Sequence, residues 1–375
     1  MKKRLIIYTA ALLSAASCIY PYTPDIDAET DSALVVDGEI LVGGTSTIRL
    51  SYLSSIATSG ASLVSPLGRA WVEDEDGTIY PSSETYLSES MQIPMQDAVP
   101  GLRYRAVIEA DGNTYASEWL EASPAPVIED ISFDADEWAV GVYLDLDAGS
   151  AQTGYAGFEF EETWLFHSEW APLYIIDPRT WAIEPLMDTW PYYWCFRSSR
   201  SSQRNILDYS GLDGNKIQHY PIHSFSRTDG RNHQRYSILV KAYSLSKDAY
   251  MYNKQTQEIS AVGGDLFTPE PGTLKTNLHC ENDPDRHVMG LVLAAEVASR
   301  RAYMDGRYLI GSEPSTVSFV IPGAEEYEFY YYDMNYRPIM DYQTEEQSGI
   351  GWGPSRCINC IDAGGTQERP SFWED

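Results

Sequence analysis

The chain has 375 residues, 43% of them hydrophobic, with 26 Lys and Arg against 55 Asp and Glu and a net charge of −29. That length accommodates two or three domains, and the apolar fraction is ample for packed cores. So acidic a field repels phosphate backbones, which excludes nucleic-acid binding and leaves cationic or neutral ligands, or plain solvation, as its uses.

The first residues read as a leader. Lys2, Lys3 and Arg4 form a positive tip, and Leu5 to Leu13 an apolar run of about nine residues. That is enough for a signal peptide and too short to span hydrocarbon, which takes about 20. Ala15, Ala16 and Ser17 precede Cys18 as in a bacterial lipobox, with Ala15 where leucine is usual. Residues 1–17 are therefore expected to be cleaved, and Cys18 to carry diacylglycerol and a fatty acid. Each buried CH₂ adds about 0.8 kcal/mol, and several acyl chains make a stable membrane anchor. Cleavage removes three cations and takes the charge to −32. Residues 18–33, with Pro21, Pro24 and spaced acids, read as a tether without a periodic apolar face.

From 34 to 122 the sequence is a run of short strands. "ALVVDGEI" is an apolar strand with a kink or turn expected at Asp37-Gly38. "STIRLSYLSS" alternates Ile48, Leu50 and Tyr52, and "GLRYRAVIEADGNTYAS" places Tyr104, Ala106 and Ile108 on one face. Asp76-Gly77 and Asp111-Gly112 mark two hairpins, because these residues tolerate positive φ. The pattern predicts a β-sandwich of immunoglobulin-like or carboxypeptidase-regulatory-like type.

After the joint "EASPAPVIEDI", a second domain is expected over 126–375, resembling a fibronectin type III sandwich. "VIEDISFDAD", "AVGVYLDLDA" and "GYAGFEFEETWLFHS" are its first strands, and "QRYSILVKAYSL", alternating Tyr236, Ile238 and Val240, resumes it after an insertion at about 169–231. "SKDAYMYNKQTQEIS" is the one short helix, with Ser246 at its N-cap and Asp248 in its first turn. "RHVMGLVLAAEVASRRAYM" reads as a strand, since Val288, Val292 and Val297 are β-branched and Gly290 breaks a helix. The fold class is thus all-β, with two tandem sandwiches.

Acylation of Cys18 leaves Cys195, Cys280, Cys357 and Cys360, enough for two bridges in an oxidising compartment. Three pairings are open and the sequence does not choose among them; Cys357 with Cys360 and Cys195 with Cys280 is the working expectation. "CINC" lies in a loop-rich tail and not at a helix start after a strand, so a structural bridge is expected ahead of redox chemistry. His219 and His223 are four apart, but Pro221 opposes a shared helical face, and with His233 they fall short of a metal site. Ser244-x-x-Lys247 has the spacing of penicillin-binding nucleophiles without their other elements. Asp134/Asp136, Asp145/Asp147 and Glu281/Asp283/Asp285 fit no calcium loop, so solvated acids are expected ahead of a structural calcium. No metal, cofactor or catalytic residue is expected.

The insertion is the most unusual stretch. Trp164, Trp170, Trp181, Trp190 and Trp194, half of the chain's ten tryptophans, fall in it or just before it with Tyr174, Tyr192 and Tyr193. Interfaces are enriched in Trp and Tyr, so these eight are candidates for a docking or ligand surface, with an extended core as the alternative.

Taken in order, "LVVDGEI", "VEDEDGTIYP", "LRYRAVIEADGNTYAS", "QRYSILVKAYSLSKDAYMYNKQTQE", "GDLFTPEPGTLKTNL", "MGLVLAAEVASRR" and "CINCIDAGGTQERPSFW" resemble the DUF4249 family of Bacteroidetes lipoproteins, over about residues 20–375. Cys280 departs from the pattern expected of the family. The resemblance implies an outer-membrane lipoprotein, anchored by lipid and working beside a TonB-dependent receptor. Asp25, Asp27 and Glu29 resemble the surface-export acids of Bacteroidetes lipoproteins but stand further from Cys18 than is usual. The expectation is a non-catalytic accessory of that receptor at the cell surface, in docking, lid or substrate-delivery roles. An adhesive surface protein, or a hydrolase with a site in the insertion, are the alternatives.

Overall fold

The computed structural model describes residues 34–52, 68–84, 88–151, 153–201, 204–262, 276–306, 308, 317–345 and 347–374. The leader, Cys18 and the tether expected at 18–33 lie outside them. The first half runs through β1 (Leu34–Val42), β2 (Thr45–Tyr52), β3 (Gly68–Asp74), β4 (Ile79–Pro81), β5 (Ser90–Pro94), β6 (Arg103–Ala110), β7 (Asn113–Ser117) and β8 (Leu120–Glu121). Ile48 and Leu50 of β2, and Tyr104, Ala106 and Ile108 of β6, are buried at every second position, as a pleated strand dictates. Asp111 and Gly112 turn β6 into β7 with φ of 51° and 77°, the left-handed pair that a two-residue hairpin requires. At Asp37-Gly38 the expected kink is absent, and β1 continues straight through. Gly38 is there for space, because a Cβ would lie 2.9 Å from Val292 Cγ2.

The second half contributes β9 (Val127–Ala135), β10 (Ala139–Asp147), β11 (Tyr155–His167), the short pair β12 (Tyr174–Ile176) and β13 (Ile183–Pro185), and the helical turn α1 (Trp190–Tyr193). Then come β14 (Trp194–Arg200), β15 (Asn205–Asp208), β16 (Lys216–Ser226), β17 (Arg235–Ser244), α2 (Lys247–Val262), β18 (Leu278–Cys280), β19 (Val288–Asp305), β20 (Tyr336–Gln343) and β21 (Ser348–Pro354). The Ser246 hydroxyl accepts the Ala249 N–H at 3.1 Å, so the serine before Lys247 caps α2. No helix among the described residues is long and apolar enough to cross a membrane.

One eight-stranded sheet, β14-β11-β17-β19-β1-β2-β5 with β15 beside β11, takes strands from both halves of the chain. β19 is its spine. Val288–Glu296 pair in parallel with β1, and Val297–Asp305 antiparallel with β17. The sheet β18-β7-β6-β3-β4, with β8, closes one half into a sandwich, and β16-β10-β9 closes the other. Ile48, Tyr104 and Tyr115 mark the first core; Val142, Phe158 and Ile238 mark the second. α2 covers the outer face of the large sheet over Leu41, Tyr243 and Leu293.

The chain is all-β with two sandwiches, as alternation implies, but the join between them is a shared strand. The boundary drawn at 122–126 does not close the first core, which takes Leu278, Cys280, Val288 and Val292 from the second segment. The insertion at 169–231 also needs correcting. β14 and β15 pair with β11, and β16 pairs with β10, so only residues 168–193 leave the sandwich.

Candidate functional site

At the end of β11 the chain departs from the sheet and meets a second projection built from the C-terminal segment. Trp170 N–H donates to the Cys357 carbonyl at 2.9 Å and Leu173 N–H to that of Ile339 at 2.7 Å. The Tyr174 hydroxyl donates to Asp341 at 2.8 Å, and this hydrogen bond holds the phenol above its usual range. β12 and β13 form a small hairpin whose tip carries Trp181 with φ of 58°. A bulky residue there is strained by roughly 1–2 kcal/mol. Edge-on contacts with Tyr331 and Tyr332, at 5.9 and 6.1 Å between ring centres, hold it.

Those tyrosines belong to a π-helical turn, Phe329–Asp333, a local form that recurs at functional sites. Around it several large apolar side chains stand exposed among acids such as Glu184, Asp188 and Asp333. Met187 is 94% exposed, Tyr332 62%, Trp190 59% and Phe329 52%, with Leu173, Ile175 and Met334 also exposed. Single exposed hydrophobics are ordinary, whereas a contiguous patch marks an interaction surface. Beneath it lies a pocket of about 320 Å³ between the β12–β13 hairpin, α1 and the segment after β21, walled by Tyr174, Ile176, Leu186, Tyr192 and Tyr331.

The eight aromatic candidates divide. Trp164 is buried in the second core beneath the Arg231 guanidinium, 4.3 Å from it, and is no surface residue. Trp190 is exposed on the platform. Tyr174 and Tyr192 line the pocket, and Trp181 supports the hairpin tip. Trp170 packs edge-on to Phe319. Tyr193 and Trp194 pack around His167, which stacks on His233 at 3.9 Å. Burial, reinforced by neighbouring His167, lowers the His233 pKa to about 4, so His233 is a neutral packing ring at neutral pH. Sequence reasoning missed Phe329, Tyr331 and Tyr332. The signal was visible as "YEFYYYDMNY", six aromatics in residues 327–336, but nothing local tied that run to the insertion.

The cysteines pair differently from the expectation. Cys195 of β14 is bridged to Cys360, with Cα atoms 5.6 Å apart, while Cys280 and Cys357 are buried free thiols. The hook after β21 docks through Cys360 N–H to the Tyr192 carbonyl at 2.8 Å and through paired hydrogen bonds between Thr366 and Phe196. This docking lays Cys360 on β14. Cys280 belongs to the first core and Cys195 to the second, which puts them out of reach of each other. Burial raises the Cys357 thiol pKa, which opposes the thiolate that redox chemistry needs. The bridge spans 165 residues, so Cys195→Ser is expected to cost about 2–4 kcal/mol. In denaturant unfolding, reductant should shift the wild-type midpoint and leave Cys195→Ser unmoved; an equal shift in both sinks the assignment.

The other motifs serve local structure. His219 stacks on Tyr143 at 3.8 Å, and His223 meets Glu162 at 3.0 Å. Asp136 accepts the N–H groups of Trp138 and Ala139, Asp145 that of His219, and Asp147 pairs with Lys216. Glu281 pairs with Arg105 at 2.9 Å.

The family model described as a domain of unknown function (DUF4249) matches residues 19–301. The match stops short of the C-terminal projection, which the resemblance over 20–375 includes. No curated protein matches the chain. A two-domain fibronectin type III segment of chicken tenascin aligns over 58% of this chain and 92% of its own length, at 12% identity. Its TM-score is 0.16, too low to carry any argument.

Proposed function

The chain belongs to the DUF4249 family, and on that premise we propose that it is a non-catalytic accessory subunit of a TonB-dependent outer-membrane receptor. Acyl chains on Cys18 would hold it at the bacterial surface, where it docks on the barrel as lid or substrate-delivery arm. The observation that carries this reading is the exposed aromatic platform of residues 168–193 and 329–334, at the end of the molecule away from Leu34. Val288 pairs with Leu34, and Asp305 with Arg235, which itself faces Leu165 just before the platform. The 18 residues of β19 between those points span roughly 60 Å at about 3.3 Å per residue. Residues 18–33 reach at most about 55 Å fully extended. That combination lets the platform stand clear of lipid or lie across a neighbouring barrel.

Labelled palmitate is expected to enter the wild-type chain and not Cys18→Ser. A tagged full-length chain is expected to co-purify an outer-membrane barrel, and the double substitution Met187→Ala with Trp190→Ala to release it. Wild-type chain that takes up no label, or that recovers no barrel, ends the proposal.

A further inference from the structure

The pocket beneath the platform carries polar groups whose hydrogen-bonding capacity is only half used. Arg337 Nη1 donates to the carbonyls of Tyr331 at 2.9 Å and Tyr336 at 2.7 Å, and its guanidinium lies 3.6 Å from the centre of the Tyr331 ring. These contacts fix the fork but occupy one nitrogen. The remaining N–H groups meet no carboxylate and no acceptor among the described residues, in a chain with 55 acids. Asn359 is likewise only partly paired. Its Oδ1 accepts the Ile361 N–H at 3.0 Å, which leaves its NH₂ group without an acceptor among the described residues. Asp362 accepts the Ser355 hydroxyl on one carboxylate oxygen, and its other oxygen has no partner among the described residues. All three side chains line the pocket with the apolar walls of Tyr174, Ile176 and Leu186.

We infer that this pocket binds a short peptide with free termini and apolar or aromatic side chains, its carboxylate on Arg337 and Asn359 and its ammonium on Asp362. A planar guanidinium fork with a neighbouring amide matches a carboxylate, and charge-assisted hydrogen bonds of this kind are the strong ones. A volume of about 320 Å³ is at the small end of ligand sites, the size for two or three residues. Charge narrows the class further. The net charge of −29 repels a free carboxylic acid or phosphate, whereas a zwitterion presents no net charge to repel. The inference does not rest on the receptor reading, because it concerns binding by the chain alone.

The test is calorimetric titration of the purified full-length chain with Leu-Phe, its C-terminal amide and its N-acetyl form. Leu-Phe is expected to bind saturably, and the amide about tenfold more weakly or worse, as loss of one charged hydrogen-bonded contact implies. N-acetylation should weaken binding through Asp362. Arg337→Gln is expected to match the loss seen with the amide. Because Arg337 also holds two carbonyls, Leu186→Trp provides a second variant that fills the pocket from its rim. Saturable binding lost in both variants supports the inference. Absence of binding by the wild type, equal affinity for acid and amide, or wild-type affinity in both variants overturns it.

Discussion

Gly290→Ala is expected to destabilise the protein by on the order of 4 kcal/mol or more, a value that single substitutions seldom reach. Gly290 sits in β19 with φ of 109°, and a Cβ there would lie 1.8 Å from the carbonyl oxygen of Val36 and 2.9 Å from its nitrogen. Two costs combine. An L side chain in that region of backbone space is strained by about 1–3 kcal/mol. The clash is with backbone, which has no rotamer to yield, so the parallel pairing of Val36 with Gly290 must open. Overpacking of this sort adds a further 1–3 kcal/mol or so. Since β19 belongs to both sandwiches, the loss should register in both cores as one shifted transition. Gly38→Ala is the graded comparison. Its Cβ would press on the Val292 side chain at 2.9 Å without positive φ, so a smaller loss of about 1 kcal/mol is expected. Guanidinium unfolding followed by tryptophan fluorescence reads both. A Gly290→Ala midpoint equal to that of Gly38→Ala would show that β1 and β19 are not paired this way.

Glu162→Gln is expected to cost about 3–5 kcal/mol at neutral pH, because it leaves a buried cation short of its partner. The Glu162 carboxylate, on β11 and 3% exposed, receives Arg231 on both oxygens at 3.0 and 3.3 Å and the Tyr236 hydroxyl at 2.8 Å, with His223 Nε2 3.0 Å away. Arg231 also pairs with Asp229 at 2.9 Å and lies over Trp164. Burial alone would raise the Glu162 pKa; the neighbouring His223 ring and the hydrogen-bonded, charged Arg231 override it and hold the carboxyl at about 2. The unfolded chain takes up this proton near 4.5 and the folded chain only near 2. The pair's stabilisation is therefore complete above pH 4.5 and is lost as pH falls toward 2. That interval corresponds to about 3 kcal/mol. Glu162→Gln should flatten this acid limb as well as lower the neutral plateau. An unchanged slope between pH 4.5 and 2 would assign acid lability to another group.

Much of the fold was readable along the chain. Period-two burial in β2, β6 and β17, the Asp-Gly turns and the Ser246 cap depend on residues a few positions apart, where local chemistry decides. The site was readable only in half. Trp190, Tyr174 and Tyr192 were found because tryptophan and tyrosine are dense there, yet the same density included Trp164, whose ring serves as floor for Arg231. Composition counts aromatic rings and does not say which side of a strand each one faces.

By itself, then, the sequence determined the all-β class, strands such as β2, β6 and β17, the Asp76-Gly77 and Asp111-Gly112 turns, the acidic charge and the family, since all of these follow from residue type and short spacing. The tertiary structure alone decided which strands meet. Leu34 pairs with Val288, Cys195 with Cys360, and the 329–334 aromatics with the 168–193 excursion. Such partners are chosen by the joint burial of surfaces far apart in the chain, and no periodicity within either partner records the other.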